Sequence, residues 1–226
     1  MMPPNTDAVL PQAVVFDMDG TLLDTEPISV RAWIAAFAEH GVQIDETVAV
    51  RPIGSDAVRT LEIFREAVDG THDFEAIQRR CHGIFHEIAE REGIPVKAGA
   101  RRILTGLRDR GVRVGLATST RKASGHPELH GAGLLELLDA AVFGDEVTQR
   151  KPSPEIYSEA LRRLGIDHPH GSWAVEDSVN GILSASGAGL SVAYIPDLQP
   201  VDGTVAKLAK IQLADLNALA DFFGLP

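Results

Sequence analysis

What most constrains the fold of this chain is a rhythm in its apolar residues. Five short β-rich runs, Ala13 to Asp17, Val112 to Ala117, Ala140 to Phe143, Ser172 to Glu176 and Leu190 to Ile195, read as buried strands. Helical patterns lie between several of them, over Ala100 to Arg110, Pro154 to Leu164 and Val179 to Ala188, with Gly111, Gly165 and Gly189 just beyond as stop signals. Strands that alternate with helices must pair in parallel through crossovers. The expectation is a doubly wound α/β sheet with helices on both faces.

One interval breaks the rhythm. Between Glu26 and Gly93 no convincing strand is found, and apolar residues recur at helical spacing in Ile28 to Ala38, Ala57 to Val68 and Phe74 to Ile88. The expected organisation is therefore an α/β core of residues 1–25 and 94–226, with residues 26–93 inserted as an all-helical cap. A chain of 226 residues with 44% apolar content can bury cores of that size.

Chemistry gathers at the strand ends, where open α/β sheets bind ligands. The first run leads into Asp17-Met18-Asp19-Gly20, two closely spaced carboxylates whose charge a hard divalent cation such as Mg²⁺ would neutralise. Thr118-Ser119-Thr120 follows the second run and offers hydroxyl and amide donors to phosphate oxygens. Lys151 follows the third, in Lys151-Pro152-Ser153-Pro154, with Pro154 placed for a first helical turn. The fourth ends in Glu176-Asp177, with Ser178 and Asn180 opening a helix. Each also has a plainer reading: Asp-Gly as a turn, Thr118 to Thr120 and Ser178 as helix caps, Lys151 as a solvated lysine, Glu176-Asp177 as charge at a helix N-terminus. Four such coincidences at one sheet edge favour a site.

Taken together, Phe16-Asp17-Met18-Asp19-Gly20-Thr21-Leu22-Leu23-Asp24-Thr25-Glu26, Leu116-Ala117-Thr118-Ser119, Lys151-Pro152-Ser153-Pro154-Glu155-Ile156-Tyr157 and Val175-Glu176-Asp177-Ser178-Val179-Asn180-Gly181 resemble, in order, the four motifs of the haloacid dehalogenase-like superfamily. The resemblance is to its helical-cap branch, which includes sugar-phosphate phosphatases, phosphoglycolate phosphatases and β-phosphoglucomutases, and it spans nearly the whole chain. It implies an Mg²⁺-dependent phosphatase that hydrolyses a small phosphate monoester, such as a sugar phosphate, through an aspartyl-phosphate intermediate. Asp17 matches the family's nucleophile; a free carboxylate, with a pKa near ~4, would be ionised at neutral pH. Asp19 matches the general acid, and Thr118, Ser119 and Lys151 match the groups that bind the phosphate. The resemblance implies metal ligation by the Asp17 side chain, the Asp19 carbonyl and the Asp177 side chain, with Glu176 close by or in the outer shell. A mobile helical lid would exclude water during turnover.

Departures from the pattern bear on the alternatives. Ser29 stands where many capped relatives carry a His, and Ala57, in Gly54-Ser55-Asp56-Ala57, where mutases carry a phosphate-binding Arg; Arg51 or Arg59 could substitute from a shifted register. Losing both groups weakens a β-phosphoglucomutase-like phosphoryl transfer. Metal-independent 2-haloacid dehalogenation, which also needs an Asp nucleophile, is disfavoured by Asp19, Asp177 and the Asp17-Met18-Asp19-Gly20 run, and a non-catalytic binding module by the intact Asp17, Asp19, Lys151 and Asp177. Gly125 and Pro127 interrupt the helix expected after Thr120.

The rest of the chain narrows the partners. A net charge of −11 argues against a basic nucleic-acid footprint or an anionic membrane surface, while local positive sites could still bind the small phosphorylated metabolite that the resemblance implies. Cys81 is the single cysteine, so no intramolecular disulfide is possible. With no leader-like pattern in Met1 to Gln12, the expected location is cytoplasmic. His82 and His86 have the spacing of a zinc pair but lack a third ligand and read as solvated or core residues. Trp33 and Trp173 read as packing residues, and Asp24 and Glu26 as caps at the start of the insertion. Oligomeric state is open.

Overall fold

The computed structural model describes residues 10–55, 57–68 and 72–226; most of the N-terminal stretch read above, and Asp56, lie outside them. In chain order the elements are β1 (Ala13–Phe16), α1 (Glu26–Glu39), α2 (Glu46–Ala49), α3 (Ala57–Ala67), α4 (Phe74–Glu92), α5 (Ala100–Asp109), β2 (Arg113–Ala117), α6 (Lys122–Gly131), a 3₁₀ turn (Leu135–Leu137), β3 (Ala140–Val142), α7 (Glu155–Arg163), β4 (Trp173–Glu176), α8 (Val179–Gly187), β5 (Ser191–Tyr194), α9 (Gly203–Ala206), β6 (Ile211–Gln212) and α10 (Leu216–Phe222).

The strands form one sheet, every pairing parallel, in the order β3-β2-β1-β4-β5-β6. It is the expected doubly wound sheet, with β6 as an edge strand that sequence reading missed. Strands covered on both faces have no polar side, and β1 and β4 are buried at every position. One face carries Ala13, Val15, Ala117, Ala174, Val192 and Tyr194, which pack with Ile156, Tyr157 and Leu161 of α7 and Ile182 and Ala185 of α8. Alternate residues face the other way. There Trp173 meets Phe222 and Phe223 edge-on, with ring centroids 5.7 and 5.6 Å apart, and α5 packs between β2 and α10.

Gly111, Gly165 and Gly189 all adopt positive φ (73°, 72° and 83°), as expected of residues that end helices. The helix starts differ by a residue or two. Pro154 is the N-cap of α7 rather than part of its first turn, and Thr25 caps α1 without a side-chain bond, leaving Glu26 as a first-turn acid.

The helix α6 corrects the sequence reading. It runs unbroken through Gly125 and Pro127. Gly125 is buried where a β-carbon would lie 3.1 Å from Phe143 and 3.3 Å from the Met18 sulfur, so here glycine is a packing choice. Pro127 is exposed.

The chain divides into two compact units, one of residues 1–23 and 96–226 and one of residues 24–95. Only helices occur among the described residues of the second. Its core is aromatic: Phe64 lies 4.5 Å from Trp33 and 4.8 Å from Phe37, with Ile77, Cys81 and Ile84 of α4 around them. Burial pushes the Cys81 thiol up to about 12, as suits a packing residue. His82 and His86 are both exposed.

Candidate active site

The strand order reverses between β1 and β4. From β1 the chain winds outward through β2 and β3, then returns to place β4 on the other side of β1. Such a reversal leaves a crevice beyond the strand ends. Phe16 is in register with Val175, and the Asp17 amide donates to the Val175 carbonyl at 3.0 Å. Sheet pairing alone therefore brings the end of β1 beside Glu176 and Asp177. Asp17, Glu176 and Asp177 each offer a carboxylate oxygen within 4.8 Å of the others.

Lys151 enters from the loop after β3. Its Nζ donates to Asp17 Oδ1 at 2.6 Å and to Glu176 Oε1 at 2.5 Å, with the side chain 4% exposed. That loop is held from two sides. Glu155 accepts from the backbone amides of Thr148 and Gln149 at 2.7 and 2.8 Å, and the Ser184 hydroxyl donates to the Ser153 carbonyl at 2.6 Å. Although burial opposes it, the pair of carboxylates holds the Lys151 ammonium above the usual lysine range.

Glu176 is completely buried and heavily committed. Its Oε1 accepts from Lys151 and from the Tyr157 hydroxyl (2.6 Å), and its Oε2 accepts from the Ser178 hydroxyl (3.1 Å). Ser178 in turn caps α8, accepting from the Gly181 amide at 3.1 Å, so its cap reading and a role at the site coincide. A β-carbon on Gly181 would fall 1.8 Å from Glu176 Oε2, which is why glycine stands there.

On the other side of Asp17, Met18 is buried and Asp19 is only half-buried. Asp19 Oδ2 accepts from the Thr120 hydroxyl at 2.7 Å and from Thr118 at 3.5 Å, while Thr118 Oγ1 accepts from the Thr120 amide at 3.0 Å. The cap reading of these residues does not hold, since α6 is capped by Arg121 with no side-chain bond. Ser119 lies exposed on the same turn. Asp177 Oδ1 accepts from the Thr21 hydroxyl at 3.1 Å. Gly20, at φ 74°, lets the backbone pass so close that a β-carbon would lie 2.4 Å from Asp177 Oδ2. Thr21 and Tyr157 are members of this network that the sequence reading did not single out for it, and Thr120, read there as a phosphate donor, donates to Asp19.

Charge is out of balance in the pocket. Asp17, Asp19, Glu176 and Asp177 face one ammonium, and burial, with Glu176 and Asp19 adding and Lys151 opposing, pushes the Asp17 carboxyl up to about 7. The residue-type expectation of a carboxylate near ~4 is corrected by its surroundings. A donor set made only of oxygens, with excess negative charge, fits a hard divalent cation. Bound there, such an ion would restore an ionised Asp17.

An open parallel sheet with an acid and lysine pocket at the reversal of its strand order is the build of an α/β enzyme. The family model for haloacid dehalogenase-like hydrolases matches residues 11–189, and the chain belongs to that family. It is 32% identical to the phosphorylated carbohydrates phosphatase of Thermotoga maritima, over 81% of this chain and 84% of that one. It is 28% identical to hexitol phosphatase B of Escherichia coli K12, over 92% and 93%. Among solved structures, CbbY from Rhodobacter sphaeroides in complex with phosphate superposes with a TM-score of 0.80 at 28% identity, covering 96% of this chain and 99% of that one. Among the described residues no helix is long and apolar enough to cross a membrane.

Proposed function

We propose that this protein is a Mg²⁺-dependent phosphatase acting on a small phosphorylated carbohydrate. The observation that carries the reading is the Lys151 ammonium fixed between Asp17 and Glu176, with Asp177 beside them. A phosphate dianion approaching Asp17 meets like charge, and Lys151 offsets it at the equatorial oxygens. The Asp17 and Asp177 side chains and the Asp19 carbonyl would hold Mg²⁺, which supplies Lewis-acid polarisation of a phosphoryl oxygen when bound.

Asp17 attacks phosphorus as the ester P–O bond breaks, and the Asp19 carboxyl gives its proton to the departing oxygen. In the second half, Asp19 takes a proton from a water that attacks the aspartyl phosphate, freeing Asp17 and inorganic phosphate. Thr118 and Thr120 set the orientation of Asp19 for both transfers. The sugar-phosphate class rests on the two named phosphatases to which the chain is similar.

A panel of phosphate esters assayed for phosphate release, with Mg²⁺ or with a chelator, tests the reading. Turnover should require the metal. Asp17→Asn should lower kcat by at least about a thousandfold while circular dichroism stays unchanged. Metal-dependent turnover retained in that variant would refute the assignment. Glucose 6-phosphate formed from β-glucose 1-phosphate, with no free phosphate, would favour the mutase reading instead.

A further inference from the structure

A fifth carboxylate approaches the acidic pocket from the loop after β5. Asp197 is held at one oxygen only: Lys97 Nζ donates to its Oδ1 at 2.6 Å, with the Asp197 side chain 9% exposed. Its other oxygen, Oδ2, is buried and has no hydrogen-bond partner among the described residues. A buried carboxylate oxygen left unsatisfied carries a desolvation cost that a structure seldom tolerates without compensation.

The direction of that oxygen is informative. A β-carbon placed on Gly20 would lie 2.4 Å from Asp177 Oδ2 and 3.0 Å from Asp197 Oδ2, so the two oxygens flank the same point above the glycine backbone. Both are carboxylate oxygens, and no donor of the described residues reaches Asp197 Oδ2. A water that donates a hydrogen bond to Asp197 Oδ2, with its oxygen on a cation held by Asp177, would satisfy the one carboxylate and offset the charge of both. Lys97 is well placed to aim the carboxylate. Its own amide donates to the Leu22 carbonyl at 3.0 Å, and the adjoining Val96 bridges Leu23, so its backbone is tied to the segment that carries Asp19 and Gly20.

We propose that Asp197 is a positioning residue of the cation site, its Oδ2 accepting a hydrogen bond from a water ligand of the ion held by Asp17 and Asp177, with Lys97 fixing the carboxylate for that task. Glu176, read from sequence as the outer-shell acid, already has both oxygens engaged by Lys151, Tyr157 and Ser178. The inference rests on the reading of the pocket as a Mg²⁺ site. Partners one step beyond the direct ligands commonly set metal affinity by about 10- to 100-fold.

Calorimetric titration of the full chain with Mg²⁺ alone, without substrate, tests it beside the melting temperature of the metal-free protein. Asp197→Ala should weaken Mg²⁺ binding by about 10- to 100-fold without lowering the metal-free melting temperature. Asp197→Asn, which keeps the volume but presents amide donors to the water, should weaken binding in the same direction and guards against a folding defect in the alanine variant. Lys97→Met should weaken it less, because the carboxylate remains but is no longer aimed. Mg²⁺ affinity unchanged in both Asp197 variants would overturn the proposal and leave Asp197 as the anchor of Lys97. Asp177→Ala serves as control: if it binds Mg²⁺ as the wild type does, the reading of the pocket itself fails, and this inference with it.

Discussion

At the scale of single residues, the site is a set of carboxylates sorted by their neighbours. Glu176 is satisfied by three donors, Asp19 by two threonines, and Asp17 by a single ammonium in a buried setting. Glu128, on α6, belongs to the same field. Burial, with Asp19 adding, pushes its carboxyl from its ordinary 4.5 up to about 8. A raised acid pKa means that the folded protein keeps a proton that the unfolded chain has shed. Stability of the metal-free protein should therefore fall as pH rises from about 4.5 to about 8. Asp17, pushed up to about 7, contributes a slope of the same sign. Glu128→Gln should flatten the part between pH 7 and 8 and raise the melting temperature at pH 8, measured by thermal unfolding across pH 5 to 9; an unchanged profile would count against the shift. Asp17 and Asp177 stand out in the sequence because each follows directly on a strand, Glu176 because it ends one, and Lys151 because of the Lys-Pro-Ser-Pro run that carries it. Thr118, Ser119 and Thr120 read alike as donors in the sequence, and only the turn's geometry shows the Thr120 hydroxyl donating to Asp19. Asp197 gave no signal at all, because it meets the pocket only through the close approach that Gly20 allows.

Among the elements, the β-rich runs and their intervening helices were read within a residue or two, because strands buried on both faces leave an apolar stretch with abrupt polar ends. The helix α6 was misjudged. Local propensity argues against Gly125 and Pro127 in a helix interior, yet packing of the glycine against Phe143 and Met18 prevails. Pro127 lacks the amide that would bond to the Ala123 carbonyl. Pro127→Ala should stabilise the protein by about 1 to 3 kcal/mol, read from the denaturant midpoint. No gain would mean that the proline contributes contacts the helix needs. Strand β6 escaped notice because it has two residues, Ile211 and Gln212, too few to show a period.

For the molecule as a whole, the division into two units follows from two kinds of core. The sheet unit is filled mainly by aliphatic residues from strands and helices, with Tyr157, Tyr194 and Trp173 among them, whereas the helical unit is centred on Trp33, Phe37, Phe64 and Phe74. Phe64→Ala removes the ring that touches both Trp33 and Phe37 and should cost about 3 to 5 kcal/mol. Hydrogen exchange should then quicken through α1 and α4, with the amides of β1, β2 and β4 still protected; equal loss in the sheet would show that the two units unfold as one. Missing strands set the insertion at residues 26–93 in the sequence, and the compact unit spans residues 24–95. Which of its side chains meet a substrate was not readable, since helical periodicity reports burial within the unit and says nothing of chemistry.

The passages between the units run side by side. Leu23 bridges Val96 antiparallel, and one step further on the Asp24 amide donates to the Pro95 carbonyl at 2.8 Å. Residues 24–95 thus leave and rejoin the chain through a single two-strand doorway, and any helical module whose ends fit that doorway can be exchanged there without re-registering the sheet.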